Sequence, residues 1–207
     1  MSNHESMKGK FLLAVGLLML WFVTAEAQRK LWGTASAGVS DNKGVIFNAN
    51  SDGTGYAVQH DFVSDFSGST PMGSLTLSGG FFYGMTSQGG DNALGMIFKY
   101  EIATGTYTKL HSFQTSEGTG PAGSLLLASN GKFYGLTNDN GGGSSHGTIF
   151  EFDPSNNTFT KKVSLTSSQG QFPNGSFVQA TANSKLYALV SSGGANGAGT
   201  IIEYDIS

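Results

Sequence analysis

The chain contains no cysteine. That absence excludes a disulfide framework, a thiolate metal site and a cysteine nucleophile. Charge is sparse as well. Lysine, arginine, aspartate and glutamate together make up 12% of the residues and leave a net charge of −3, where an average chain carries about 25% charged residues. No basic run is longer than two residues. A nucleic-acid partner needs a basic stripe to displace counterions, so nucleic acid is not the expected partner. No apolar stripe of helical period appears after residue 27 either, which argues against a helical bundle.

What the chain does have is glycine, 31 of 207 residues, and aromatics at 12%. Disorder goes with few aromatics and high charge, so this composition argues for a packed fold. So much glycine fits many tight turns between short strands.

Lys8 and Lys10 precede an apolar run from Phe11 to Val23, followed by Thr24 and Ala25-Glu26-Ala27. Thirteen residues fall short of the roughly 20 needed to cross a hydrocarbon core. Basic start, apolar run and small-x-small ending match a secretory signal peptide over residues 1–27, cleaved before Gln28. The expected localisation is therefore secreted or cell envelope, with no membrane span after cleavage. An uncleaved anchor is the alternative. Residues 28–207 are expected to form a single domain.

That domain repeats. Trp32, Tyr83, Tyr134 and Tyr187 follow one another at 51, 51 and 53 residues, and Phe47, Phe98, Phe150 and Ile202 at 51, 52 and 52. Repeats start near residues 31, 82, 133 and 186. A fixed period of this kind marks a repeat architecture. Each period holds four short segments suited to strands, designated a to d, for example Lys132–Thr137, Gly147–Phe152, Thr160–Leu165 and Gly175–Ala180. In segment b, Phe98 and Tyr100 share one strand face while Ile97 lies on the other, because successive side chains alternate. Both faces are apolar, so each sheet needs a neighbour on each side. Radially stacked four-stranded blades, a β-propeller, meet that need. The expected fold is all-β: a propeller-like array of about three and a half repeats of ~51–52 residues, forming an incomplete ring. Counting a to d gives three four-stranded blades and a two-stranded one, with an exposed apolar flank near Ile202 and Tyr204 or near Ile46 and Phe47. Either self-association through that unpaired edge is expected, or the sequence is part of a longer array.

Thr108-Lys109-Leu110-His111-Ser112-Phe113, Gly120-Pro121-Ala122-Gly123-Ser124-Leu125, Asn130-Gly131-Lys132-Phe133-Tyr134-Gly135-Leu136-Thr137 and Gly147-Thr148-Ile149-Phe150 resemble the Gloeo_Verruco (GloVer) tandem repeat. The resemblance covers residues 31–206. It implies an exported bacterial repeat protein, propeller-like, of no assigned activity and with no catalytic residues to carry over. The first copy, Leu31-Trp32-Gly33-Thr34, departs from the pattern, and no recognisable sorting segment follows Ile206.

Within a blade the a-to-b and c-to-d loops are long and emerge on one side, where binding residues would sit. The candidate ligand-binding residues are the non-repeated polar ones there: Asp91, Asn92, Asn138, Asp139, Asn140 and His146, with Glu117 and Gln171 on the c-to-d side. Asn138-Asp139-Asn140-Gly141 lacks the spacing and the bidentate glutamate of a calcium loop, so it reads as a turn and no metal is assigned. The glycine runs lack the Lys-Ser/Thr of a phosphate loop, so no cofactor is assigned. His60 and His111 align with Val163, which reads as packing. Glu151 and Glu203 align with Lys99 and Asn48, which reads as a position facing solvent or a channel. No catalytic set stands out. The sequence thus favours a non-enzymatic binding or surface-interaction module, with an unidentified surface, glycan or protein ligand. The alternatives are a purely structural repeat fragment, or a carbohydrate-active enzyme in which Glu151 and Glu203 are the pair to examine.

Overall fold

The computed structural model describes residues 29–63, 65–139, 146–181 and 183–207. The proposed signal peptide lies outside the described residues. Among the described residues, fourteen strands form four antiparallel sheets. The first sheet holds β1 (Lys30–Ala35), β2 (Val45–Asn50) and β3 (Ala57–Asp61). The second holds β4 (Thr76–Ser78), β5 (Phe81–Thr86), β6 (Met96–Glu101) and β7 (Tyr107–Ser112). The third holds β8 (Thr119–Leu127), β9 (Phe133–Asp139), β10 (Thr148–Asp153) and β11 (Thr158–Ser164). The fourth holds β12 (Val178–Gln179), β13 (Lys185–Val190) and β14 (Thr200–Asp205). One short turn of 3-10 helix, Asp65–Ser67, is the only helical element among the described residues.

The strand total agrees with the repeat pattern, but the division differs. Three four-stranded blades and a two-stranded one were expected; the sheets have three, four, four and three strands. The reason lies in the d segment. Its tight glycine turn, Gly79-Gly80 in the second sheet, folds it back onto the a strand that follows, so that Ser78 pairs with Phe81 and Thr76 with Tyr83. A glycine at left-handed φ in such a turn closes an antiparallel hairpin that other residues would strain. The sheets therefore run d-a-b-c. Among the described residues the first sheet has no d strand and the fourth no c strand.

Successive d segments meet at the inner edge of the arc. The Ser74 amide donates to Ser124 Oγ at 2.8 Å, and the Ser124 amide to Ser176 Oγ at 2.8 Å. Gly73 packs on Gly123, and Gly123 on Gly175, so closely that a Cβ on either would overlap the next backbone. A proline two residues before Gly73, Gly123 and Gly175 sits on the glycine that opens the b strand of the preceding sheet: Pro71 on Gly44, Pro121 on Gly95 and Pro173 on Gly147.

Core residues fall between sheets rather than within them. Ile46 and Phe62 of the first sheet meet Phe82, Phe98 and Tyr100 of the second. Tyr83, Met85 and Ile97 of the second meet Phe133, Phe150 and Phe152 of the third. Tyr134, Leu136 and Ile149 of the third meet Phe177, Leu186 and Ile202 of the fourth. Burying each such side chain contributes about 1.5–3 kcal/mol. The exposed flank was expected at Ile202 and Tyr204 or at Ile46 and Phe47, but Ile202 and Ile46 are buried. Alternation along β14 turns Ile202 toward the third sheet, and its neighbour Ile201 is the exposed residue, together with Leu189 and Val178.

His60 and His111 pack as rings. His60 stacks on Tyr107 of the next sheet with centroids 4.0 Å apart and planes 6° from parallel, and His111 stacks on Phe159 at 4.3 Å. Burial pushes the His60 imidazole below its ordinary value of 6.5, against the attraction of Asp61.

Candidate functional site

Loops joining a to b and c to d lie on one rim of the arc and hold one another in place. Ser69 bridges to Gln88 and Gln171 to Ser192, each joining a c-to-d loop to the next a-to-b loop. In the third sheet β8 continues the same pairing, so that Thr119 lies opposite Asp139. Backbone bonds of this kind satisfy loop groups that a floppy segment would leave to water.

The candidate residues fall into two groups on this rim. Asp91 and Asn92 belong to the second sheet. The Asp91 carboxylate pairs with Lys109, a bond that holds its pKa below the usual range, and its amide donates to Ser112 Oγ at 3.1 Å. The Asn92 side-chain amide donates to the Phe113 carbonyl at 3.0 Å. Asn138 and Asp139 close β9, and His146 stands half-buried just before β10. Asn138 donates to the Asn174 side chain at 2.7 Å, tying the third sheet to the approach of the fourth. Asn140 lies outside the described residues. Glu117 accepts from the Gln114 amide at 2.9 Å and shares a 2.9 Å hydrogen bond with His111 Nε2, which makes it a loop clasp. Among the described residues, no group of three or more histidine, aspartate or glutamate side chains comes together as a metal-ligand set.

Between the clasped loops lie open grooves. One, of about 540 Å³, is lined by Asn92, Leu94, Gln114, Thr115 and Ser116. Another, of about 480 Å³, lies among Ser167, Ser168, Gln171 and the glycines of the last a-to-b loop. Gln114, Thr115 and Ser116 had not been singled out from the sequence. Ordinary polar loop residues carry no signal until the fold brings two loops together.

The carboxylate pair considered for sugar chemistry is not assembled. Glu151 is not at a solvent edge; it is buried between the third and fourth sheets, receiving Lys132 Nζ at 2.7 Å and the Tyr134 hydroxyl at 2.6 Å. Its counterpart Glu203 faces away on the far side of β14, paired with Lys185 and with the Tyr187 hydroxyl at 2.7 Å. The fourth sheet stands between the two. Burial pushes the Glu151 carboxyl up, but the hydrogen bonds from Lys132 and Tyr134 outweigh it and the net shift is downward. Lys185 lowers Glu203 in the same way. A glycosidase acid needs a carboxyl kept protonated by its surroundings, and neither of these is. The Lys-Tyr-Glu arrangement repeats from one sheet to the next, as framework does.

The repeat and its sheets have counterparts elsewhere. The Gloeobacter/Verrucomicrobia repeat matches residues 21–202. No curated protein matches the chain. Among solved structures, it is similar to a chain of a nidogen/laminin complex, with TM-score 0.57 and 14% identity over 87% of this chain and 56% of that one. TolB from Acinetobacter baumannii aligns with TM-score 0.52 and 16% identity, over 79% of this chain and 36% of its own. A putative TolB from Agrobacterium tumefaciens aligns with TM-score 0.50 and 14% identity, over 77% and 50%. The chain thus spans between about a third and just over half the length of these structures. At such identity they show the fold alone: an arc of propeller-like sheets.

Proposed function

The chain belongs to the Gloeobacter/Verrucomicrobia repeat family, and from that premise we propose that it is an exported, non-enzymatic binding module that works through its loop rim. The observation carrying this reading is the set of open grooves between clasped loops. Their walls offer uncharged amide and hydroxyl groups, Asn92, Gln114, Thr115 and Ser116 in the larger one. Uncharged hydrogen-bonding groups on a fixed scaffold suit a neutral, hydroxyl-rich surface such as a glycan, because little loop entropy is lost on binding. Export is supported by the apolar run Phe11–Val23 and the Ala25-Glu26-Ala27 that follows it.

The test uses the protein recovered from outside the cytoplasm, with its N-terminus sequenced and its binding measured on an array of neutral and acidic glycans. A mature chain starting at Gln28 and selective binding to neutral glycans are expected. Gln114→Ala with Thr115→Ala should weaken that binding about tenfold, the loss of one or two net hydrogen bonds. A flat array with the fold intact would overturn the binding reading, and a mature chain that keeps Phe11–Val23 would overturn the cleavage.

A further inference from the structure

The arc has two ends, and each leaves an apolar sheet face exposed. Toward the sheet that follows, the second sheet presents Met85 and Ile97, and the third presents Leu136 and Ile149; these residues are at most 3% exposed. The fourth sheet presents Leu189 and Ile201 in the same register, Leu136 facing Ile149 across the strands and Leu189 facing Ile201. Yet Leu189 is 68% and Ile201 71% exposed. At the other end the first sheet presents Leu31 and Tyr56 where the second presents Phe82 and Tyr107. Leu31 is 57% and Tyr56 59% exposed, against 8% for Phe82.

We propose that these ends dock on each other between molecules: the fourth sheet of one chain stacks on the first sheet of a second copy, as each interior sheet stacks on the next. The occupant is a second copy because one chain carries both halves. Leu31, Phe47 and Tyr56 hold the places from which Phe82, Phe98 and Tyr107 cover the first sheet. Leu189 and Ile201 hold the places that Phe133 and Phe150 cover on the second. Such a contact is heterologous, so it either closes into a ring or extends the arc. A groove of about 540 Å³ lined by Gly175, Leu189, Gly199 and Ile201 remains at the inner end of the junction. At interior junctions Pro71, Pro121 and Pro173 fill that place on the glycines that open β2, β6 and β10, and among the described residues the first sheet has no d strand. The docking stands apart from the loop rim and does not depend on it.

The test measures mass by light scattering during size exclusion, with circular dichroism as the check on folding. The purified protein should elute as two or more copies. Ile201→Glu and Leu31→Glu alter exposed side chains, so each variant should fold, and each should weaken association by at least about 30-fold, as expected for an interface anchor. Phe66→Glu, at an exposed aromatic outside both end faces, should change nothing. The decisive step mixes the two end variants. An Ile201→Glu chain keeps a sound first sheet and a Leu31→Glu chain keeps a sound fourth, so the mixture should form a one-to-one pair. Wild-type protein with the mass of a single chain overturns the proposal. So does a mixture that stays monomeric.

Discussion

In three of the four sheets a glycine lies under a phenylalanine, and that packing can be tested by a double-mutant cycle. Gly33, Gly84 and Gly135 lie directly opposite Phe47, Phe98 and Phe150 across the a–b strand pair. A Cβ on Gly135 would lie 2.4 Å from Phe150 Cζ and 2.9 Å from Cε1, where carbon atoms prefer about 3.5–4.0 Å. The ring cannot retreat. It is fully buried, with Phe159 5.1 Å and Phe113 5.3 Å away, centroid to centroid. Gly135→Ala should therefore destabilise by about 1–3 kcal/mol, the range for overpacking. Phe150→Ile alone removes ring atoms and leaves a void, at a cost of about 1–2 kcal/mol. The fourth sheet already holds the compensated pair, Ala188 opposite Ile202. Gly135→Ala combined with Phe150→Ile should then cost less than the two singles together, by about 1–2 kcal/mol of coupling. Urea unfolding of the four proteins measures it, through midpoints at unchanged slope. Additivity to within about 0.5 kcal/mol would show that the methyl and the ring do not compete for the same space.

Two further outcomes follow from the junctions. His60 has a folded pKa lowered from 6.5 by burial, and its Nε2 is buried with no hydrogen-bond partner among the described residues. The unfolded chain therefore binds more protons between the folded value and 6.5, so stability should fall as pH drops below 6.5 and level off under the folded value. His60→Phe keeps a ring against Tyr107 and should flatten that slope in unfolding midpoints taken across the window; an unchanged slope would mean that His60 is not its source. Gly123 and Gly175 offer a second contrast. Gly123 has φ +76° and a Cβ there would lie 2.3 Å from the Gly175 carbonyl, whereas a Cβ on Gly175 meets nothing nearer than 3.3 Å. Gly123→Ala should lower stability by about 2–4 kcal/mol, and Gly175→Ala by less than about 1 kcal/mol, as read from thermal midpoints. Equal losses would show that the two glycines are equally confined.

The sequence by itself determined the period, the strand content and the need for stacking. Fixed offsets between Trp32, Tyr83, Tyr134 and Tyr187 reveal the repeat, and alternation along Ile97, Phe98 and Tyr100 says that both sheet faces seek apolar cover. Both signals are local, since periodicity reports how side chains alternate along one strand. What the sequence left open is which strands share a sheet and which faces are left over. Segment d could close the blade before it or open the blade after it, and the text of a repeat reads the same from any starting point. Tertiary structure decided that d folds back through its glycine turn onto the next a strand. Stacking of the sheets, with alternation along β14, put the exposed flank at Ile201 rather than Ile202 and buried Glu151 while leaving Glu203 outside. It also brought Asn92 beside Gln114, residues whose juxtaposition depends on two loops meeting. Covered and uncovered copies of one motif carry the same residue types, and only the presence or absence of the neighbouring sheet distinguishes them.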